Sequence, residues 1–124
     1  MKPKMILFDY GQTLVVEPQF DAKLGYAAVY DRTDGGSVSR EAFCDFADAL
    51  FLSLAEKAHN TYHEIDNIRF LTAVCSYFGM TPSISFEDAD LLYWDTATHG
   101  SHASPHASEL LAALEKRGIR TGVI

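Results

Sequence analysis

The stretch "MILFDYGQTLVV", residues 5–16, decides how the rest of the chain is read. Residues 4–9 carry a short, nearly continuous apolar run, the pattern of a strand buried on both faces of a parallel sheet. The run ends on Asp9, and a glycine-containing turn with Thr13 follows at once. In open α/β sheets, ligands bind outside the carboxyl ends of the strands, so a carboxylate at Asp9 points into that crevice. There it can attack phosphorus or carbon to form a covalent intermediate, or ligate Mg²⁺, a hard cation that prefers oxygen. The plainer reading is an aspartate that starts a turn, and local chemistry leaves both open.

Outward from this strand, four helical patterns follow. The first, about residues 19–31, places Phe20, Leu24, Ala27 and Ala28 on one face and ends near "RTDGG". The second, about 39–58, repeats Phe43, Phe46, Ala47, Leu50, Phe51 and Leu54 at three- and four-residue steps. The third, about 63–78, carries Ile65, Ile68, Leu71, Cys75 and Phe78, with Gly79 just past its end. A fourth begins at Ser85, where Asp88 gives a capping-box-like start. After "THGSHASPH" the pattern changes. Ser104 and Pro105 read as cap and first residue of a helix that runs to Gly118, and "IRTGVI" is a second short strand. A helix directly before a strand suggests an α/β crossover. The expected organisation is therefore an α/β core from residues 1–16 and 99–124 with two parallel strands, and a helical module inserted at 17–98.

Composition limits the partners. The chain has 124 residues, 48% of them hydrophobic, enough for a sizeable core. Ten basic against seventeen acidic side chains give a net charge of −7. That balance argues against nucleic acid or an anionic membrane as the main partner, because phosphate backbones need a basic footprint. A small phosphate ester held by a few donors and a cation remains compatible. Cys44 and Cys75 lie inside helical patterns and read as reduced core thiols rather than a disulfide framework. The apolar run after "MKPK" is too short for a signal peptide or a membrane span. A cytoplasmic protein is the expectation.

"ILFDYGQTL" resembles the first motif of the haloacid dehalogenase superfamily, in which an apolar strand precedes Asp, any residue, usually Asp, any residue, then Thr or Val. The match lies at Asp9, Thr13 and the strand before them. "SPHASELLAALEKRGIRTGVI" is similar to the helix and strand that lead to that family's second motif, and the helices between resemble its cap domain. The resemblance implies an incomplete Rossmann-like core with an inserted α-helical cap. It implies Asp9 as nucleophile and Mg²⁺ ligand, the Gly11 backbone carbonyl as a second ligand, and the Thr13 hydroxyl as the group that steadies the loop. Position 11 departs from the pattern. In the family's phosphatases it is an aspartate that acts as general acid and then base, a contribution of about 10²–10⁴-fold. Dehalogenase and phosphonatase members also lack that second aspartate, yet neither of their characteristic motifs is reproduced at residues 9–13.

Other candidates have plainer readings beside them. His99, His102 and His106 could bind a transition metal, but no thiolate or carboxylate is interleaved, and a hinge is the readier account. His59 and His63 could share a helical face beside Glu64, without the HExxH order of zinc enzymes. Lys23 and Lys57 are candidate Schiff-base lysines, or exposed surface lysines. The aromatic stripe of the second helix reads as packing, with Phe43 or Phe46 as the alternatives for a pocket wall.

Two functions are expected from this reading. One is a Mg²⁺-dependent, aspartate-nucleophile hydrolase of the haloacid dehalogenase type, acting on a small phosphorylated metabolite and represented here by its amino-terminal half. The other is a catalytically silent binding or interaction module on the same fold. The family's later motifs are expected beyond Ile124, so the 124 residues alone are expected to be inactive. An unpaired edge on the first strand is expected to favour a homo-oligomer.

Overall fold

The computed structural model describes residues 3–61 and 63–124. Met1, Lys2 and Tyr62 fall inside the expected domain ranges but outside the described residues. In chain order the elements are β1 (Met5–Phe8), β2 (Val15–Val16), α1 (Ala22–Tyr30), α2 (Arg40–Thr61) and α3 (Asn67–Tyr77), followed by α4 (Phe86–Ala97), β3 (His102–Ala103), α5 (Ala107–Lys116) and β4 (Arg120–Val123). The class is mixed α/β. Two compact units result: residues up to Phe20 together with His99–Ile124, and Asp21–Thr98.

The first unit is built on a parallel pair. β1 and β4 run in register from Met5↔Arg120 to Phe8↔Val123. The ladder is extended at both ends, where Arg120 N–H donates to Lys4 O at 3.2 Å and Ile124 N–H to Phe8 O at 2.9 Å. α5 feeds β4 through a Schellman end. Gly118 takes φ +66°, its N–H donates to Glu115 O at 2.8 Å, and Ile119 N–H reaches back to Leu114 O at 3.0 Å. Leu114 and Ile119, the residues that motif joins, are both buried. β1 is not covered on both faces, as the apolar run led us to expect. Ile6 and Phe8 are half-buried, whereas Met5 and Leu7 are exposed. The reason is size: a two-stranded sheet with one helix in its unit has one covered face.

A second, antiparallel ladder lies outside the sequence reading. Val15 pairs with Ala103 and Val16 with His102. Ser104 N–H continues it by donating to Leu14 O at 2.8 Å. With the Ser104 N–H engaged by Leu14, α5 starts at Ala107, later than the Ser104–Pro105 signal implied. Its N-cap is His106, in the left-handed region at φ +62° and without a side-chain capping bond.

The second unit packs four helices around Tyr26, Val29, Phe43, Leu71, Val74 and Cys75. Two helices begin later than their apolar periodicity implied, because aspartates claim their first turns. The Asp21 carboxylate accepts from Leu24 N–H at 3.1 Å, and the Asp66 carboxylate from Arg69 N–H at 3.1 Å. At α4, the Ser85 hydroxyl accepts from Asp88 N–H at 3.0 Å and donates to Asp88 Oδ2 at 2.8 Å. Gly79, at φ +65°, lets Met80 N–H reach Cys75 O at 2.9 Å and closes α3. Phe43 is fully buried between Tyr30 and Phe78, with ring centroids at 5.5 and 6.0 Å, and Phe46 stacks on Tyr77 at 4.7 Å. The stripe of α2 is packing.

Cys44 and Cys75 are free and buried. Burial pushes the Cys75 thiol up to about 11 and the Cys44 thiol upward as well, so both stay protonated and unreactive at neutral pH. Burial, and then its neighbour Tyr93, pushes the Tyr26 phenol far above its ordinary value. No helix among the described residues is long and apolar enough to cross a membrane.

α1 packs tightly on α4 at Gly25. A β-carbon there would lie 2.6 Å from Tyr93 Cδ2 and 2.9 Å from the Tyr93 carbonyl oxygen. Glycine costs about 1 kcal/mol of helix propensity against alanine, so the close approach has to outweigh it. Gly25→Ala is therefore expected to lower stability by about 1–3 kcal/mol, the usual cost of overpacking, rather than raise it. Urea unfolding checks this, and a variant as stable as the parent would show that the two helices part without cost.

Candidate functional site

The site is built from the turn that follows β1. Asp9 is the first residue beyond the strand, with an exposed side chain, and its Oδ1 accepts from Tyr10 N–H at 2.9 Å. The chain then folds back on one acceptor. Tyr10 O receives N–H groups from Leu14 at 3.0 Å, Val15 at 3.1 Å and Thr13 at 3.4 Å. Gln12 makes the reversal possible by taking φ +57°, a region that few non-glycine residues adopt. Its N–H donates to Val15 O at 2.7 Å, and its side-chain amide donates to Glu17 O at 3.1 Å. β3 pins the returning strand. These bonds fix a turn whose carboxylate-bearing end projects from the carboxyl edge of the parallel pair.

Gly11 sits inside this turn in ordinary rather than left-handed backbone. Its glycine is not required by φ. What a side chain there would meet is Glu17, because a β-carbon at Gly11 would lie 3.3 Å from Glu17 Oε2. The half-buried Glu17 therefore brings its carboxylate to the place a side chain at position 11 would occupy. Sequence reasoning missed Glu17, since only the reversal at Gln12 carries residue 17 back to residue 11. Thr13 contributes its N–H to the turn, donating to Tyr10 O at 3.4 Å.

Next to the turn lies a cavity of about 360 Å³ lined by Phe8, Thr13, Leu14, Ser104, His106 and Leu110, among others. Phe8 and Thr13 reach its wall, whereas Asp9 and Gly11 are not among the residues that line it. Its walls are mainly apolar with a few polar groups, the usual make-up of a small-molecule site. His106 enters this wall rather than a metal cluster, and its Nδ1 hydrogen-bonds the Glu109 carboxylate.

The other candidates separate. Among the described residues, no three His, Cys, Asp or Glu side chains form a group that could hold a metal ion, so His99, His102 and His106 are not brought together as one. α2 ends at Thr61, which leaves His63 outside the helix and removes the shared face with His59. Lys23 donates to Asp45 at 2.6 Å, and that hydrogen bond raises its pKa, the opposite of what a Schiff-base lysine needs. It borders a separate cavity of about 450 Å³ in the helical unit, lined also by Asp21, Leu24, Arg40 and Cys44. Lys57 is exposed on α2.

For Mg²⁺, the donor set at the turn is the Asp9 carboxylate and the Gly11 carbonyl. Both are hard oxygens, and Mg²⁺ commonly takes one or two protein oxygens and keeps several waters. The residues fit the ion. No family model matches the chain, and neither a curated protein nor a solved structure matches it.

The proximity of Glu17 sets an expectation for position 11. Gly11→Ala is expected to change stability by no more than about 0.5 kcal/mol, since φ is permissive and Glu17 Oε2 can shift slightly. Gly11→Asp is expected to cost about 1 kcal/mol at low ionic strength, from two carboxylates in contact, and to recover with added salt. Equal unfolding midpoints for the two variants at low salt would mean that Glu17 does not lie over Gly11.

Proposed function

We propose that this chain carries the nucleophile of a haloacid-dehalogenase-like hydrolase that acts on a small phosphorylated metabolite in the cytoplasm. One observation carries the reading: the exposed carboxylate of Asp9 at the carboxyl end of a strand in a parallel pair. The free state of Cys44 and Cys75 agrees with a reducing compartment. In this reading an Asp9 oxygen attacks the substrate phosphorus, the leaving alcohol departs, and water then hydrolyses the aspartyl phosphate to restore Asp9. The Tyr10 N–H bond to Asp9 Oδ1 orients the carboxylate for that attack. Asp9 and the Gly11 carbonyl would hold Mg²⁺, which when bound neutralises phosphate charge.

A second reading keeps the fold without the chemistry, as a binding or interaction module. What favours it is position 11, where a glycine stands in place of the acid that the resembled phosphatases carry.

The product of the complete reading frame that encodes these residues separates the two. Mg²⁺-dependent turnover of a generic aryl phosphate is expected, and Asp9→Asn is expected to reduce it to below a few per cent. The amide oxygen can still accept from Tyr10 N–H, so circular dichroism and unfolding should be unchanged. A folded Asp9→Asn protein with substantial turnover would remove Asp9 as nucleophile, and metabolite binding without turnover would favour the second reading.

We also propose that the 124-residue chain pairs with a second copy through β1. Among the described residues β1 pairs with β4 alone, and Met5 and Leu7 are 47% and 54% exposed. An open edge with apolar neighbours is a template for another strand, and two-fold pairing is the commonest closure. Light scattering after size exclusion should give twice the monomer mass; a monomer at high concentration would overturn this.

A further inference from the structure

The cavity of about 360 Å³ in the first unit takes no part in the chemistry proposed at Asp9, since neither Asp9 nor Gly11 lines it. Its two sides are tied together by backbone. Thr13 and Leu14 come from the turn, Ser104 and His106 from the segment that leads into α5. The bond from Ser104 N–H to Leu14 O at 2.8 Å joins the two. Walls held by bonds within the chain lower the ordering cost of filling the space between them. Leu110, in the first turn of α5, lines the cavity and is 47% exposed, so an occupant would cover apolar surface.

The lining decides the charge of that occupant. Among the described residues, no Lys, Arg, Asp or Glu lines the cavity. A phosphate or carboxylate placed there would give up water and meet no counter-charge. The polar groups are the hydroxyls of Thr13 and Ser104 and the imidazole of His106. His106 Nδ1 is taken by the Glu109 carboxylate, which leaves Nε2 for another partner. His106 also holds φ +62°, a region that glycine or asparagine takes more readily, and its side chain makes no capping bond to offset that conformation. For size, an apolar cavity of roughly 150 Å³ holds one benzene ring, so this one has room for one ring or two. We propose that the cavity is a binding site for a neutral aromatic molecule that carries a hydroxyl. Its ring lies against Phe8, Leu14 and Leu110, and its hydroxyl bonds His106 Nε2. The site is independent of the hydrolase reading and stands or falls separately.

Three probes of nearly one shape test this: para-cresol, para-xylene and para-toluate. A space with no partner for a hydroxyl prefers xylene, the most apolar of them, whereas a hydrogen bond reverses that order. Methyl chemical shifts of the 124-residue chain, followed during each titration, should move at Leu14, Ala107 and Leu110. Cresol is expected to bind with Kd of about 1 mM or tighter, xylene about fivefold more weakly, and toluate at least about tenfold more weakly. Leu110→Glu puts a carboxylate on the wall at an exposed helical position, and should weaken cresol binding by about tenfold with the circular dichroism unchanged. His106→Gly suits the backbone and removes the imidazole, so it should keep the fold and lose the preference for cresol over xylene. Absence of cresol binding, shifts confined to the helical unit, toluate binding as tightly as cresol, or full binding by folded Leu110→Glu would each overturn the site. A preference for cresol that survives in His106→Gly would overturn the role of His106.

Discussion

The parallel pairing of β1 with β4 is the constraint on which the arrangement of the first unit depends. Parallel neighbours cannot be joined by a tight turn; their connection must leave one end of the pair and return to the other. Here that connection is nearly the whole chain, from Asp9 to Ile119, and it ends in α5, whose Schellman turn at Gly118 aims the chain into register with β1. Closing so long a connection costs entropy only logarithmically in its length. It does require the intervening residues to be compact by themselves. The helical unit meets that requirement with its own buried core of Tyr26, Phe43, Leu71 and their neighbours.

A second consequence follows at the other end of β1. A strand end next to a long connection would leave its loop free to wander. The two-residue ladder of β2 with β3 ties the outgoing chain at Val15–Val16 to the returning chain at His102–Ala103. With both sides pinned, the turn between Asp9 and Glu17 has little choice of path. Tyr10 O gathers the N–H groups of Thr13, Leu14 and Val15 because the backbone must reverse within a few residues. The strain of Gln12 at positive φ, of order 1 kcal/mol, is tolerated in return for those bonds.

The large features of this architecture were legible in the sequence, and the small ones that shape the site were not. The apolar run before Asp9, the three- and four-residue steps of α2 and the glycine ends at Gly79 and Gly118 are strong local signals. They locate most of the strands and helices. Helix starts were less legible, since Asp21 and Asp66 cap later than apolar periodicity implies. The β2–β3 ladder has too few residues for a period and joins segments far apart in sequence. His106 as a left-handed N-cap follows from that ladder, which no local pattern announces. Asp9 could be named as a candidate because it ends a strand. Glu17 could not, because its meeting with Gly11 depends on the sign of one dihedral angle at Gln12. Nothing local at position 11 announces that neighbouring carboxylate.

The distribution of natural reporters across the two units has its own consequence. Both cysteines and the single tryptophan, Trp94, belong to the helical unit. Thiol labelling at the buried cysteines and indole fluorescence at the exposed Trp94 thus both report from residues of that unit. Agreement between those two signals in an unfolding experiment would describe cooperativity within one unit only. Fraying of the strand pair, the event that would release Asp9 from its turn, belongs to the other unit, which holds none of these reporters. A probe near Phe8 or Tyr10 is what would make the strand-end turn visible.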